Sequence, residues 1–564
     1  MRARKVKAFA EITDYLIRQG FSAAPASLGA LAFKGILKAD SVEAPVTIEI
    51  PDWTFRVLPG FFLDPDNTLV GAVNPHVGPY GYLCYATHGE FVLNSFAPAS
   101  AMARCLEDAR ATLKKIVKGG EWAKTEIQRE FRVHWGGSYI MSSGLDFGQK
   151  TARMAWVPDK LQKESDCWGW VYQDKSLADQ MAAVMGHELE PLEQVSVALV
   201  RSDTPLYVTT DGPPKTIGEF LRWVKGQDRD LYGRVENALG TKAALQAQMQ
   251  TLLIEAANTC FGICFKLTPQ QQTLYRKKRG DFLNQARKPD RSWKVIRVWV
   301  EDASPAFIHS RSLLQPDLSG KMVALIGAGA IGGYLADNLA RLGAGAGQGK
   351  LLIIDPESLA PENIGRHRLG LEYAFQPKAS SLKSRLEREF PWLNIEVVKT
   401  NAEDYKKLWS YDLVVDATGE VASSRILNLQ HLDFAQKGRK VPKVLYCWVA
   451  GSGDGCQAFW VDDPVNGACY ECLMIHGAAG AIKERFKFLN EVPAQKLVGC
   501  KAVTPYAAGM AMSAAALASE MICDWLIGNV HPRFRTRARS RANVNNVPDS
   551  SPAALKRCPA CSPT

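Results

Sequence analysis

The sequence predicts an α/β chain of several domains: a doubly wound, mainly parallel sheet at the C-terminal end, an α+β region at the N-terminal end, and a mixed α/β linker between them. Three observations carry this. The run KMVALIGAGAIGGYLADNLARLGAG joins a β-rich stretch to glycines and then to a helical pattern, and a second strand ending in LLIID follows it. The runs IEVVKT, YDLVVDAT and KVLYCWVAG then alternate with helical segments. Nearer the N-terminus a helix precedes short strand-like runs and a further helix, the order of an α+β domain. Strands alternating with helices imply βαβ units with both sheet faces covered. At 564 residues the chain exceeds what one core sustains, so roughly two to four domains are expected. The seams fall near 1–140, 141–300 and 301–564.

The opening MRARKVKAFAEITDYLIRQG has basic residues but no continuous apolar core or cleavage site, so it reads as an amphipathic helix rather than an export signal. The strand-like runs VTIEI and FRVLPGFFL follow, then a Pro/Gly-rich segment and a helix starting near Ser100. On that helix Met102, Cys105, Leu106, Ala109, Leu113, Ile116 and Val117 share one face, which makes Cys105 a core residue. The linker mixes VSVALV, FGICFKL and WKVIRVWV with a long helix predicted around Leu231 to Ala256, and carries no motif with readable chemistry. The most apolar segment, Ala507 to Ile527, contains Glu520 and Asp524, which a bilayer penalises. It reads as a buried helix, with no membrane partner.

Composition narrows the function classes. With 46% hydrophobic and 22% charged residues the chain is an ordinary folded protein. Its net charge of +10 is dispersed, and basic runs such as Arg276-Lys277-Lys278-Arg279 are short, so no nucleic-acid partner is expected. Thirteen cysteines without an export signal point to a cytoplasmic protein whose thiols are reduced, metal-bound or nucleophilic.

Gly327, Gly329 and Gly332 form GxGxxG directly after VALI, where small residues let backbone N-H groups at a helix N-terminus approach phosphates. This is a Rossmann-like signal. Asp355 ends the next strand and is placed to bond a ribose hydroxyl. These four residues alone favour a dinucleotide-dependent oxidoreductase. Asn363, Arg366 and Lys378 follow within two dozen residues, and an NAD site has no need of them. Attack of a carboxylate on the α-phosphate of ATP does, because cations must neutralise charge on the reacting phosphate and on pyrophosphate.

Here the chain resembles the ThiF/MoeB family of adenylating enzymes, whose fold ubiquitin-activating enzymes share. The resemblance covers most of Lys321 to Cys561. It implies that Gly327, Gly329, Gly332, Asp355, Asn363, Arg366 and Lys378 bind ATP, with Arg366 and Lys378 stabilising the adenylation transition state. The family's magnesium-binding Asp falls at Gly419, so the resemblance leaves Asp416 or Glu420 to hold Mg2+.

Cys469-Tyr-Glu-Cys472 and Cys558-Pro-Ala-Cys561 together supply four thiolates for a closed, structural zinc site. Between the pairs, Cys500 precedes Thr504 and Pro505, which read as N-cap and first position of the apolar helix; adjacent Lys501 and the helix end favour thiolate. In ubiquitin-activating enzymes the acceptor cysteine occupies the corresponding place, which makes Cys500 the candidate for a first thioester. Cys447 and Cys456 read as packing.

In the first region, VNPHVGPYGYLCYATHGEF resembles the active-site stretch of ubiquitin-conjugating enzymes, whose motif is His-Pro-Asn, a later Gly and the catalytic Cys. Aligned on Cys84, the tripeptide falls at Asn74-Pro75-His76, with His76 in the Asn position and Gly81 before the thiol. An imidazole there can donate to an oxyanion or accept an amine's proton. The order of conjugating module, linker and activating module resembles bacterial fusions of CBASS antiphage operons. That resemblance implies a protein substrate with an activatable C-terminus, specifically a cyclic-nucleotide synthase, an amine-bearing target, and a homodimer through the adenylation domain. The alternatives are a sulfur-transfer adenylyltransferase, an activating enzyme for a ubiquitin-like protein, and a non-catalytic scaffold.

Overall fold

The computed structural model describes the chain apart from residues 1, 27–29, 41, 71–72, 87–91, 157–166, 290–291, 478–479, 492–495, 499–500, 541–543 and 563–564, and apart from the side chains of 2, 79, 496–498 and 501–503. It divides into two compact units: Met1–Gln173 with Glu190–Glu301, and Asp174–Leu189 with Asp302–Thr564. Among the described residues no helix is long and apolar enough to cross a membrane.

The first unit opens with the amphipathic helix Arg2–Arg18 and an antiparallel meander of β1 (Ser22–Ala24), β2 (Leu31–Ala39), β3 (Val42–Ile50) and β4 (Gly60–Leu63). In β3 the period-two pattern puts Val46, Ile48 and Ile50 inside and Glu49 outside. The inner face meets Ile12 and Leu16 of the first helix and Met102, Cys105, Leu106, Ala109 and Leu113 of the helix Pro98–Lys118. Cys105 is thus a core residue, as its helical spacing predicts. Gly119 and Gly120, both at positive φ, end that helix and re-aim the chain into Gly120–Arg129. A short helix, Phe131–Trp135, follows and buries both its aromatic ends beside Trp223 and Phe261 of a second core.

That second core backs an eight-stranded sheet in the order β7-β5-β12-β11-β10-β9-β6-β8, where β5 is Ser138–Ser142, β6 Thr151–Trp156, β7 Cys167–Tyr172, β8 Glu190–Pro191, β9 Val195–Arg201, β10 Met249–Ala256, β11 Thr259–Lys266 and β12 Ile296–Asp302. An added β6–β7 pairing closes the sheet on itself. The helix expected around Leu231 to Ala256 is corrected here. Helix Arg229–Leu239 stops at Gly240, Thr241 caps a short helix Lys242–Gln246, and β10 begins at Met249. The run MQTLLIEA is buried on both faces, so it lacks the alternation that marks a half-exposed strand.

The second unit carries a seven-stranded sheet. β13 (Met322–Ile326) lies between β14 (Lys350–Ile354) and β16 (Leu413–Asp416), with β15 (Ile395–Val398) outside β14 and β17 (Lys443–Ala450) outside β16, all parallel; β18 (Gly455–Val461) and the strand Phe534–Ala538 complete it antiparallel. One face packs on helices Ala330–Arg341, Lys378–Glu389 and Ala508–Leu526, the other on helix Val421–Gln436 and the cysteine-bearing segments. Helix Ala508–Leu526 is the apolar segment, buried through Ala511, Ala514, Ala515 and Ala518, whose small side chains let it lie close to Ala330–Arg341. Its N-cap is Ala507, not Thr504, and Pro505 lies outside the helix. Tyr506, between that dipeptide and the helix, lines a cleft beside the turn after β13.

Candidate functional site

The turn from β13 into helix Ala330–Arg341 builds one end of a cleft. A Cβ on Gly332 would stand 1.7 Å from the carbonyl oxygen of Gly327, so this close pass of helix over loop admits glycine alone. A Cβ on Gly329 would meet nothing within 4 Å, because that residue faces the open cleft. Asp355, at the end of β14, is buried; its Oδ2 accepts the Ala328 amide at 2.6 Å and its Oδ1 the Glu357 amide at 2.7 Å. The carboxylate therefore holds the glycine loop as well as lining the cleft, and its remaining lone pairs can accept ribose hydroxyls. Burial pushes its pKa up, against these two amides.

Lys378 begins its helix at the cleft wall, buried, with Nζ 2.5 Å from Glu357 Oε2. Asn363 and Arg366 are not among the residues lining the cleft. Asn363 Oδ1 accepts the Ala360 amide, and the Arg366 guanidinium stacks 4.8 Å over the ring of Tyr506, which does line it. Sequence reasoning passed over His367. Its Nε2 donates to the Ala328 carbonyl at 2.7 Å while its Nδ1 accepts the Leu369 amide at 3.0 Å, which makes the imidazole neutral. Burial, aided by the charges of Lys378 and Arg366, pushes its pKa down. The signal available was its place directly after Arg366.

At the end of β16 the two acidic candidates separate. Asp416 is buried and does not line the cleft: Thr418 donates to its Oδ1 through amide and hydroxyl, and Ser424 Oγ donates to its Oδ2 at 2.6 Å. Glu420 is exposed and does line it. Gly419 lies at φ +67°, a left-handed turn that glycine adopts without strain. Across this turn a second, apolar cleft opens, walled by Tyr446, Trp448, Phe486, Phe488 and Phe534. The turn residues alternate between the two clefts: Thr418, Glu420 and Ser423 face the first, Gly419, Val421 and Ser424 the second. The buried Tyr446 hydroxyl has no hydrogen-bond partner among the described residues.

Cys469, Cys472, Cys558 and Cys561 bring their sulfurs within 4.8 Å of one another. Individual separations are 4.0, 3.8 and 3.5 Å. A tetrahedral ion with Zn–S bonds of about 2.3 Å needs sulfur edges of about 3.8 Å, so the donor set fits zinc. The Asn428 amide and the Leu555 N-H point at Cys469 and Cys472 Sγ, as donors around metal thiolates do. Four sulfurs leave no open position, and the cluster ties the C-terminal segment to the sheet.

In the first unit, Cys84 is exposed on a narrow ribbon opposite His76, and Cys84 N-H donates to the His76 carbonyl at 2.8 Å. Burial of the sulfur and the nearby charge of Glu130 push the thiol's pKa up. His76 holds φ +60° and is surrounded by Glu126, Glu130 and Trp122. The glutamates were legible as a pattern, since Glu126, Glu130 and His134 recur every fourth residue along one side of a helical run. Cys500 lies outside the described residues. Cys447 and Cys456 are buried in β17 and β18, where they pack.

Residues 303–560 match the ThiF family and residues 29–139 the prokaryotic E2 family B. The chain is 28% identical over 515 residues to the ATP-dependent ubiquitin transferase-like protein Cap2 of Pseudomonas aeruginosa (strain BWHPSA011 / Pa011), covering 90% of each. It is 31% identical over 514 residues to the protein of the same description from Escherichia coli (strain TW11681), covering 86% of this chain and 84% of that one. Among solved structures, E. coli MccB with ATP aligns at TM-score 0.32 and 15% identity, over 46% of this chain and 68% of that chain. With a nucleotide-type cleft in one unit and an exposed thiol in the other, the chain belongs to the Cap2 family of ATP-dependent ubiquitin transferase-like proteins, an enzyme joining a ThiF adenylation domain to an E2-like domain.

Proposed function

We propose that the enzyme adenylates the C-terminal carboxylate of a protein, carries the acyl group as a thioester first on Cys500 and then on Cys84, and delivers it to an amine. The observation that carries this reading is the shared wall at 418–424 between the glycine-loop cleft and the apolar cleft. The first suits ATP. The second suits an extended peptide whose apolar side chains contact the aromatics and whose backbone carbonyl accepts from Tyr446.

Adenylation needs the carboxylate held at the α-phosphate while charge on pyrophosphate is neutralised. Gly329 and the helix N-terminus would cradle phosphates, Asp355 the ribose, and Lys378 the developing charge, with Arg366 and Asn363 approaching beside Tyr506. Glu420 faces the cleft and is the better magnesium ligand; Asp416 has its oxygens occupied by Thr418 and Ser424. Bound magnesium would offset phosphate charge. Zinc at the four cysteines is structural. Cys500, between the cysteine pairs in sequence, would displace AMP, and Cys84 would take the acyl group by exchange, because thioesters retain activation yet transfer readily to thiolates.

The relatives' description supports protein transfer, and the CBASS resemblance names a cyclic-nucleotide synthase as the protein whose C-terminus is activated. The test is ATP-pyrophosphate exchange dependent on that C-terminus, followed by trapping of reductant-sensitive adducts. Cys84→Ala should leave an adduct on Cys500, and Cys500→Ala should abolish both. Absence of exchange with the synthase present would sink the activating reading.

A further inference from the structure

His76 and Cys84 are cross-strand neighbours. Val77 and Leu83 form an antiparallel bridge, and the amides of Cys84 and Gly78 donate to the carbonyls of His76 and Tyr82, each at 2.8 Å. Residues 76 and 84, one step outward on both strands, therefore sit opposite each other, joined by the bond from the Cys84 amide to the His76 carbonyl, and Glu130 acts on both the His76 ring and the Cys84 sulfur. An imidazole beside an acyl-carrying sulfur can move a proton during acyl transfer, and it does so best when a third group orients it. Among its described residues the ribbon itself contains no such group.

The helix Gly120–Arg129 and its last flanking residue provide one. His76 holds φ +60°, a backbone state that costs a non-glycine residue about 1–2 kcal/mol and needs outside support. That support is Glu130, whose Oε2 accepts the His76 amide at 2.9 Å. The same carboxylate reaches the ring, with Oε1 3.1 Å from Nδ1, off the line of a hydrogen bond. Glu126 Oε2 lies 3.3 Å from Nε2, and Trp122 stacks on the ring at 5.8 Å. Behind them, His134 Nε2 meets Glu130 Oε2 at 3.3 Å and Arg129 pairs with Glu126 at 2.8 Å. Among the described residues the charged and titratable groups meeting His76 are thus Glu126 and Glu130 from the helix side, with Cys84 its neighbour across the ribbon.

Resting on the reading of Cys84 as the acyl carrier, we infer that Glu130 is the positioning residue for His76, so that Cys84, His76 and Glu130 act together as carrier, proton shuttle and orienting carboxylate when an amine attacks. The amine nitrogen forms a bond to the thioester carbon. Its N-H proton passes to the imidazole, the C–S bond breaks with its electron pair on sulfur, and His76 returns the proton to give the Cys84 thiol. Two features fit this order of events. Burial and the charge of Glu130 raise the Cys84 thiol, so the sulfur is a poor leaving group as thiolate and gains from reprotonation. Burial pushes the Glu130 carboxyl up, but hydrogen bonds from His134 and His76 outweigh it and hold the group below the usual carboxylate range, so it orients the imidazole without taking its proton.

The test uses the full chain and bypasses ATP. Cys84 is acylated directly with the 2-mercaptoethanesulfonate thioester of acetylglycine, located by mass against Cys84→Ala, then discharged to Nα-acetyl-lysine amide between about pH 6 and about pH 9. His76→Asn, which tolerates the left-handed backbone, should slow discharge about a hundredfold and Glu130→Gln about tenfold, with a displaced pH-rate midpoint. The double variant should be no slower than His76→Asn alone, because Glu130 acts through His76. Glu130→Asp keeps the charge and should stay within about threefold of the parent, which guards against a Gln variant that fails to fold. A Glu130→Gln rate and pH profile matching the parent, a double variant slower by the product of the single effects, or an Asp variant as impaired as Gln would overturn the inference alone. A parent that is not acylated at Cys84 overturns the carrier reading and the inference with it.

Discussion

The imidazole of His367 donates from Nε2 to the carbonyl oxygen of Ala328 at 2.7 Å, clasping the glycine loop from within the domain. Asp355 grips the amide of the same residue from the opposite side. Losing the imidazole leaves a buried carbonyl without its donor, which costs about 1–3 kcal/mol and falls on the segment proposed to cradle phosphate. His367→Ala is expected to weaken ATP binding about tenfold by titration calorimetry. His367→Gln, which retains a donor, should recover most of that loss; equal loss in both variants would refute the clasp.

The three loop glycines should respond differently to alanine. Gly332→Ala places a Cβ against the Gly327 carbonyl and must force helix and loop apart, so it should lower the melting temperature of the whole protein. Gly329→Ala meets open space and should melt like the parent while binding ATP more weakly, because the methyl occupies the cleft. Paired melting curves with and without ATP separate the two effects.

One zinc ion per chain is expected by atomic spectroscopy, released on unfolding with a chelator. Cys558→Ser should lose the metal and free the C-terminal segment, with proteolysis then cutting between the sheet and residue 558. Structural zinc contributes folding energy directly, so the melting temperature should fall with the metal. Full stability without zinc would remove the ion from the account.

Acid should destabilise the second unit through its buried histidines. His431 stacks on Trp409, donates from Nε2 to the Pro442 carbonyl, and is held neutral by burial, its pKa pushed down to about 4 from 6.5. The unfolded chain therefore binds this proton before the folded one does. The contribution is intact above about pH 6.5, falls by about 1.4 kcal/mol per unit below it, and reaches about 3 kcal/mol of loss near pH 4. His367 shifts in the same direction. His431→Gln should flatten the pH dependence of chemical unfolding across that window, and an unchanged slope would contradict it.

The parallel sheet, its glycine turn and the four-cysteine cluster were legible because each is local chemistry written at short range. A strand must precede GxGxxG for backbone amides to reach phosphate, and two CxxC pairs offer thiols in twos whatever the chain does between them. The linker was harder to read. MQTLLIEA is buried on both faces as β10, so its apolar run carries no period, and a helix across Leu231 to Ala256 was the wrong extension of a pattern that Gly240 ends. Thr504 and Pro505 likewise carry a local helix-start signal, whereas the helix starts after Ala507 and Tyr506 lines the cleft.

Residue types and their spacing were therefore enough to point to the groups on which the proposed chemistry rests: a glycine loop after a strand, four paired cysteines, and Cys84 with an imidazole eight residues before it. Tertiary structure alone decided which groups meet. It turned Asp416 inward onto Thr418 and Ser424 while Glu420 faces the cleft, and it set Glu130, more than fifty residues along the chain, against the backbone and ring of His76. Contacts of that range depend on how helices pack on a sheet, a property of the assembled core that no local run of residues encodes.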